Sequence, residues 1–283
     1  MTTTLQEPGP AGGGAPARTG LSPRRKRQVT LYAQYVIFVL LALAVILGAD
    51  WAAISKYFLD FSKMDGQWGR LFGTALVNTI LYTLAAYVVG LALGLIVGLM
   101  RLSSVLPYRW FALVFIEIFR GLPALLILLL VGFGVPIAFP DMANPPGGVF
   151  FNVSVGLGLV AAAYMAETIR AGIQAVPKGQ LEAARSLGMS RSRAMISIVI
   201  PQAFRIVIPP MTNELVLLFK DSSLVFILGF TADQYELTKF GESLSNTTAN
   251  STPYIVAGAA YLTITIPLGF LVRRLEARQA KAR

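Results

Sequence analysis

Gly179-Gln-Leu-Glu-Ala-Ala-Arg-Ser-Leu-Gly188, followed by Ile198, Ile200 and Pro201, is a polar interval set between apolar runs long enough to cross a membrane. Its composition predicts a short helix over about 179–187. The helix should end at Gly188, because glycine tolerates the left-handed conformation just past a helix end. Ala183 and Ala184 are small enough to let a partner surface come close, while Glu182 offers a carboxylate and Arg185 a guanidinium. The stretch reads as a docking element carried by a membrane protein.

Outward from it, the chain has the composition of such a protein. Of its 283 residues 55% are hydrophobic and 13% charged, and the mean hydropathy is +0.65; both are outside the range of soluble domains. Six runs reach the length needed for roughly 30 Å of hydrocarbon: 31–48, 72–100, 110–139, 150–171, 204–230 and 253–272. Unpaired backbone groups in lipid cost several kcal/mol each, so spans of this length have to be helices, and the fold class is an all-α integral membrane protein. The formal net charge of +10 raises the question of nucleic acid. The basic residues sit at the ends of apolar runs without interleaved aromatics, so nucleic acid is not the expected partner; the lipid bilayer is. With no Cys and no His, disulfides, thiol chemistry and the commonest zinc ligand drop out, and no metal site is expected.

Residues 1–22, rich in Gly, Pro, Ala and Thr, cannot bury enough apolar surface to offset ordering and are expected to be a disordered tail. Residues 23–70 should form a first spanning helix with an external loop. Arg24-Arg-Lys-Arg27 before an apolar run is shared by signal peptides and signal anchors, but the run is long for a signal peptide and the site after it is poor for cleavage, which favours retention. Residues 71–273 should form the main transmembrane domain, with the docking loop at 177–201, and 274–283 a basic tail. Lys and Arg concentrate on cytoplasmic loops. Arg24–Arg27, Arg101, Arg109, Lys178, Arg185, Arg191, Arg193, Arg273, Arg274, Arg278, Lys281 and Arg283 fall on one side of the alternation. Asp50, Asp60 and Asp65 with Lys56, Lys63 and Arg70, then Asp141, then Asp233, Glu236 and Glu242 with Lys239, fall on the other. Both termini and the Glu182 loop are therefore expected in the cytoplasm.

Charges within spans are costly, at least about 2.5–3.5 kcal/mol near the centre, and mark candidate pathways. Glu117 and Arg120, and likewise Glu167 and Arg170, are spaced i,i+3 toward cytoplasmic helix ends, where each pair can close on itself or on a neighbouring helix. Glu167 lies about 12 Å from a helix end near Ala175 at 1.5 Å per residue; its carboxylate suits either an internal cation or the ammonium of a passing substrate. Asn78, Thr79, Tyr82 and Thr83 place polar groups in the outer half of their span, either to glue helices together or to meet a ligand. Gly90, Gly94 and Gly98 form a ridge for close packing. Asn213, Glu214, Lys220 and Asp221 follow Pro209-Pro210, which is expected to break the helical ladder and make this span line the path. The alternative is that Lys220 and Asp221 neutralise each other at a subunit contact.

The spacing Glu182-Ala-Ala-x3-Gly188-x9-Ile198-x-Ile200-Pro201 resembles the EAA loop of ABC importer permeases, the element that meets the ATPase, with Ile200 in place of the usual leucine. Glu117-Ile-Phe-Arg-Gly-Leu-Pro123, Ala163-Tyr-Met-Ala-Glu-Thr-Ile-Arg-Ala-Gly-Ile-Gln-Ala-Val-Pro-Lys-Gly179 and Leu218-Phe-Lys-Asp-Ser-Ser-Leu224 extend the likeness and single out the polar amino-acid uptake branch (histidine, glutamine and glutamate permeases). The resemblance implies a five-helix type I permease core plus one additional N-terminal helix, in a bacterial cell membrane. It implies coupling to the ATPase through Glu182, Ala183, Ala184 and Gly188; the candidates for the substrate pathway remain the intramembrane polar residues Glu167, Asn78, Asn213, Glu214 and Lys220. Implied partners are a cytoplasmic ATPase dimer that holds the ATP and Mg, a second permease subunit with a heterodimer favoured over a homodimer, an extracellular solute-binding protein and an amino-acid substrate of glutamate or glutamine type. No G-x-x-x-x-G-K-[ST] cradle occurs, so this chain is not expected to be an enzyme. The rival reading is an ion-gradient-driven transporter or channel, which inverted repeats would favour; none is visible.

Overall fold

Without water to satisfy them, the backbone groups of each apolar run must pair within the run, and the regular structure is helical throughout the residues that the computed structural model describes, 23–142, 145 and 147–281. The expected disorder of 1–22 lies outside them. The chain divides into two units after Ile54. The first contains helix α1, Pro23–Gly48. The second contains α2, Trp68–Leu102; α3, Leu106–Gly121; α4, Ala124–Ala138; α5, Val149–Gln174; α6, Lys178–Ser186; α7, Arg191–Leu228; α8, Leu237–Thr248; and α9, Thr252–Lys281. Of these, α1, α2, α5, α7 and α9 are long and apolar enough to cross a bilayer.

The centre of the second unit is the seam between α2 and α5. A Cβ on Gly90 would stand 2.7 Å from the Cβ of Ala161, one on Gly94 2.9 Å from the Cβ of Met165, and one on Gly98 3.0 Å from the carbonyl oxygen of Ala166. The contacts advance together along both chains, so the two helices run parallel at backbone-to-backbone distance. Helices gain no hydrophobic drive from meeting in lipid; close van der Waals packing between small residues replaces it. Around the seam the buried core gathers Tyr82, Leu128, Val153, Leu157, Met165, Met211, Leu218, Val225, Leu228 and Phe230. The outward faces stay apolar, with Val88 65% and Ile96 56% exposed on α2, as suits a lipid contact.

One expectation about breaks is corrected, and one run is bent. The run 110–139 is not one straight span: α3 and α4 meet at 106°. The residue before a proline is pushed out of the α region, and Leu122 accordingly takes φ −94°, ψ 144° before Pro123. Pro209-Pro210, by contrast, does not break α7, which is helical through both. A proline at 209 removes the N–H that the carbonyl of Arg205 would accept four residues back. The side-chain amide of Gln279, on α9, donates to that carbonyl instead. The helical ladder loosens later, where the chain tightens into a 3-10 turn over Ser222–Leu228 and stops at Gly229 with φ +70°.

The seam generates a test. Gly94→Leu should separate α2 from α5 and lower stability by about 1–3 kcal/mol or prevent assembly, the usual cost of overpacking. Gly258→Ala, on α9 where nothing lies within 4 Å of the added carbon, should leave thermal unfolding in detergent unchanged.

Candidate docking element and membrane pathway

Past α5 the chain turns at Pro177, the residue before α6, and the predicted docking helix forms over nearly the expected residues. Its end is closed as glycine allows: Gly188 has φ +86°, its N–H donates to Arg185 O at 3.0 Å, and the Met189 N–H donates to Ala184 O at 3.1 Å. This crossed pair is the Schellman arrangement, which satisfies two otherwise orphaned carbonyls. The two alanines divide the work. Ala184 is 3% exposed and faces its own chain, where Leu181 joins Val176, Val199 and Ala203 in a small apolar cluster. Glu182, Ala183 and Arg185 are exposed, and Leu187 is 85% exposed. Of the two alanines only Ala183 is therefore placed to let a partner approach. Ser190 starts the next helix by accepting from Arg193 N, and a hollow of about 440 Å³ between Val176, Lys178, Leu181, Met195 and Val199 lies alongside.

In the pathway region, Glu167 and Arg170 close on each other. Arg170 Nε donates to Glu167 Oε2 at 2.9 Å, Nη2 donates to Oε1, and Nη1 donates to Gln174 Oε1 at 2.5 Å. The side chains remain 30% and 26% exposed, so carboxylate and guanidinium are presented together rather than sealed. Glu117 and Arg120 make no such pair; Arg120 lies 5.2 Å over the ring of Tyr164 on α5.

Asn78 stands far from Glu167. Its Nδ2 donates to Asp233 O at 2.9 Å and to Tyr235 O at 3.0 Å, and the Tyr82 hydroxyl donates to Gln234 O at 2.9 Å. These groups hold the segment leading into α8. Because Gly98 is the α2 residue level with Ala166 and Ile169, Asn78 is about 30 Å further along the axis. One amino acid cannot touch both, so the expectation that Asn78 serves the same bound molecule as Glu167 is corrected. On α7, Asn213 and Lys220 are exposed and Glu214 and Asp221 half-buried. Among the described residues none of them forms an ion pair.

Charge counting passed over one residue. Glu236, read as an external loop charge, is fully buried. It caps α8, accepting from Thr238 N and Lys239 N, both at 2.6 Å, and from the Tyr261 hydroxyl of α9 at 2.8 Å. Burial pushes its carboxyl up to about 7, against the downward pull of these donors. The signal was an acid directly before the apolar positions Leu237 and Phe240, where a helix start both attracts the charge and buries it.

Comparison with known proteins gives a consistent set of matches. The family model described as binding-protein-dependent transport system inner membrane component matches residues 90–281. The probable glutamine ABC transporter permease protein GlnM of Bacillus subtilis is 40% identical over 230 residues, 81% of this chain and 99% of that protein. The arginine transport system permease protein ArtQ of the same organism is 33% identical over 218 residues, 77% of this chain and 96% of that one. The crystal structure of an amino acid ABC transporter with histidines aligns at TM-score 0.69 and 36% identity, covering 77% of this chain and 98% of that one.

The division between the two alanines is testable. Ala184→Glu should cost more than about 3 kcal/mol, since a buried charge would have no partner, and should expose the loop to proteolysis. Ala183→Glu should leave the fold intact. Gly188→Ala, where nothing crowds the added carbon, should lower stability by only the about 1–2 kcal/mol of a left-handed alanine.

Proposed function

Because the chain belongs to the family of binding-protein-dependent transport system inner membrane components, we propose that it is the membrane-spanning permease subunit of an ATP-driven importer of polar amino acids. The observation that carries the reading is α6. It is a short helix seated on its own chain by Leu181 and Ala184, yet it presents Glu182, Ala183, Arg185 and Leu187 outward between two spanning helices. A lever that receives force needs this form: rigid toward its own bundle and open toward a partner. The partner is a pair of cytoplasmic ATPases, which hold the ATP and Mg, and α6 is cytoplasmic together with both termini. A second permease subunit completes the path, as a heterodimer in preference to a homodimer, and an extracellular binding protein delivers the substrate.

The substrate is a zwitterion, and the Glu167–Arg170 fork supports that class, since it offers a carboxylate to an ammonium and a guanidinium to a carboxylate side by side. Asn213, Glu214 and Lys220 on α7 supply the remaining polar surface of the pathway. Asn78 acts at the outer end, holding the loop before α8. A glutamate or glutamine type of substrate is the favoured choice, supported by the likeness to the glutamine permease protein; the arginine relative marks the alternative side chain.

Three measurements test these assignments. Glu182→Lys should abolish transport in an otherwise inserted and assembled complex, because setting like charge against a docking partner costs about 2–5 kcal/mol; normal transport would remove the docking role. Glu167→Gln should keep assembly and basal ATPase activity while raising the substrate concentration needed for stimulation, and wild-type behaviour would shift the site to Glu214 and Lys220. As the chain has no Cys, single cysteines report orientation: Ser62→Cys and Asn246→Cys should react with an impermeant reagent outside intact cells, and Ser104→Cys and Ser190→Cys should not. Asn246 is used rather than its neighbour Ser245, which is only 7% exposed.

A further inference from the structure

Helix α8 lies between spans α7 and α9, and buries Leu237, Phe240, Gly241 and Ser245 along one face. Beyond this apolar face, its start is tied by hydrogen bonds. The Leu237 N–H donates to Thr79 Oγ1 of α2 at 3.1 Å, and the Glu236 carboxylate accepts from its own helix and from Tyr261. Tyr261 also lies 3.2 Å from Thr238 Oγ1, with either oxygen able to donate.

That ambiguity has a chemical consequence. When Glu236 is ionised, Tyr261 donates to it and accepts from Thr238. When Glu236 is protonated, its O–H donates to Tyr261, which turns its own hydrogen toward Thr238. Every oxygen in the chain Glu236–Tyr261–Thr238 stays partnered in both forms, so the site holds a proton without being taken apart. The surrounding charges do not fix one form. Lys239 is engaged with Glu242 at 2.7 Å. Tyr82 from α2 and Asp233 and Tyr235 from the preceding loop bring no cation, and Glu236 forms no ion pair among the described residues.

We propose that Glu236, Tyr261 and Thr238 form a proton-reversible clasp that docks α8 onto the spanning helices, firmer when Glu236 is protonated and looser when it is ionised. The sign follows from desolvation. A carboxylate with no cation gains hydration when it is released to water, whereas a neutral carboxyl gains little. Burial raises the docked carboxyl from its ordinary 4.5 to about 7. Docking is therefore complete below about 4.5, weakens by up to about tenfold per pH unit as the pH rises to about 7, and is constant above. The clasp rests on the permease reading only for which face of the membrane α8 occupies; there it would make the outer helix respond to external acidity.

The reporter is already in the fold. Ser245 Oγ is buried and has no hydrogen-bond partner, so Ser245→Cys is a mild change whose thiol reacts only when α8 lifts. The full chain in its assembled complex, in detergent with both faces accessible, is labelled with a maleimide from pH 5 to pH 8.5. Rates are divided by those of the exposed Asn246→Cys at each pH, which removes the intrinsic thiol titration. The ratio should be low at pH 5, climb severalfold toward pH 7 and then level off. Adding Glu236→Gln should make the ratio independent of pH, at a level above the pH 5 value because the amide nitrogen must face one of the backbone N–H groups that now meet the carboxylate oxygens; adding Tyr261→Phe, which removes a donor from the carboxylate, should move the climb to higher pH. The proposal is overturned by a flat ratio in the chain that retains Glu236 or by a pH response that survives Glu236→Gln. Failure of the orientation is a separate result, since it appears only as protection of Asn246→Cys outside intact cells.

Discussion

The close approach of α2 and α5 is the constraint on which the rest of the second unit depends. Where Gly90, Gly94 and Gly98 meet Ala161, Met165 and Ala166, almost no side chain intervenes between the two backbones. Two spans fixed in this way leave little freedom for the others. Leu128 from α4 fills the space over Gly156, α7 lays Val207 against Gly172, and the apolar cluster around Leu157 and Met165 is completed by the 3-10 turn that ends α7. In lipid, where burying apolar surface gives no net gain, this fit between small residues takes the part that hydrophobic collapse plays in water.

Irregular backbone is then tolerated only where a group stands ready to satisfy it. The proline pair in α7 and the glycine–proline junction between α3 and α4 look alike in sequence, yet they have opposite outcomes. At Pro209 the Arg205 carbonyl lies beside the side-chain amide of Gln279, and α7 continues through both prolines. At Pro123 the preceding Leu122 leaves the helical region, and the chain turns through 106°. Polar side chains in the outer part of the fold serve the same accounting. Asn78, Tyr82 and Thr79 are spent on backbone groups of the segment entering α8, which is why they do not converge with Glu167.

The bundle carries a small amphipathic helix on either side of α7 in sequence. α6 precedes it and is capped by Gly188, with Ala184 inward and Glu182 outward. α8 follows it and is capped by Glu236, with its apolar face inward and a carboxylate that can carry a proton.

The sequence by itself determined that the protein is helical and membrane-spanning, and where most of its spans lie, because span length and the ban on unpaired backbone are local constraints. It also determined α6 and the left-handed Gly188, since a helix, its cap and its polar interval are neighbours along the chain. Only the tertiary structure decided which polar residues meet. Asn78 and Glu167 both read as intramembrane polar groups, but their separation depends on the register of α2 against α5. Ala183 and Ala184 are adjacent and chemically identical, and only the way α6 is seated on its own chain leaves the first exposed and the second buried. Glu236 counted as one more outer charge until its neighbours from α2 and α9 enclosed it. Hydropathy reports how far a run extends into lipid; which face of a helix is covered, and by what, is fixed by contacts between residues distant in the chain.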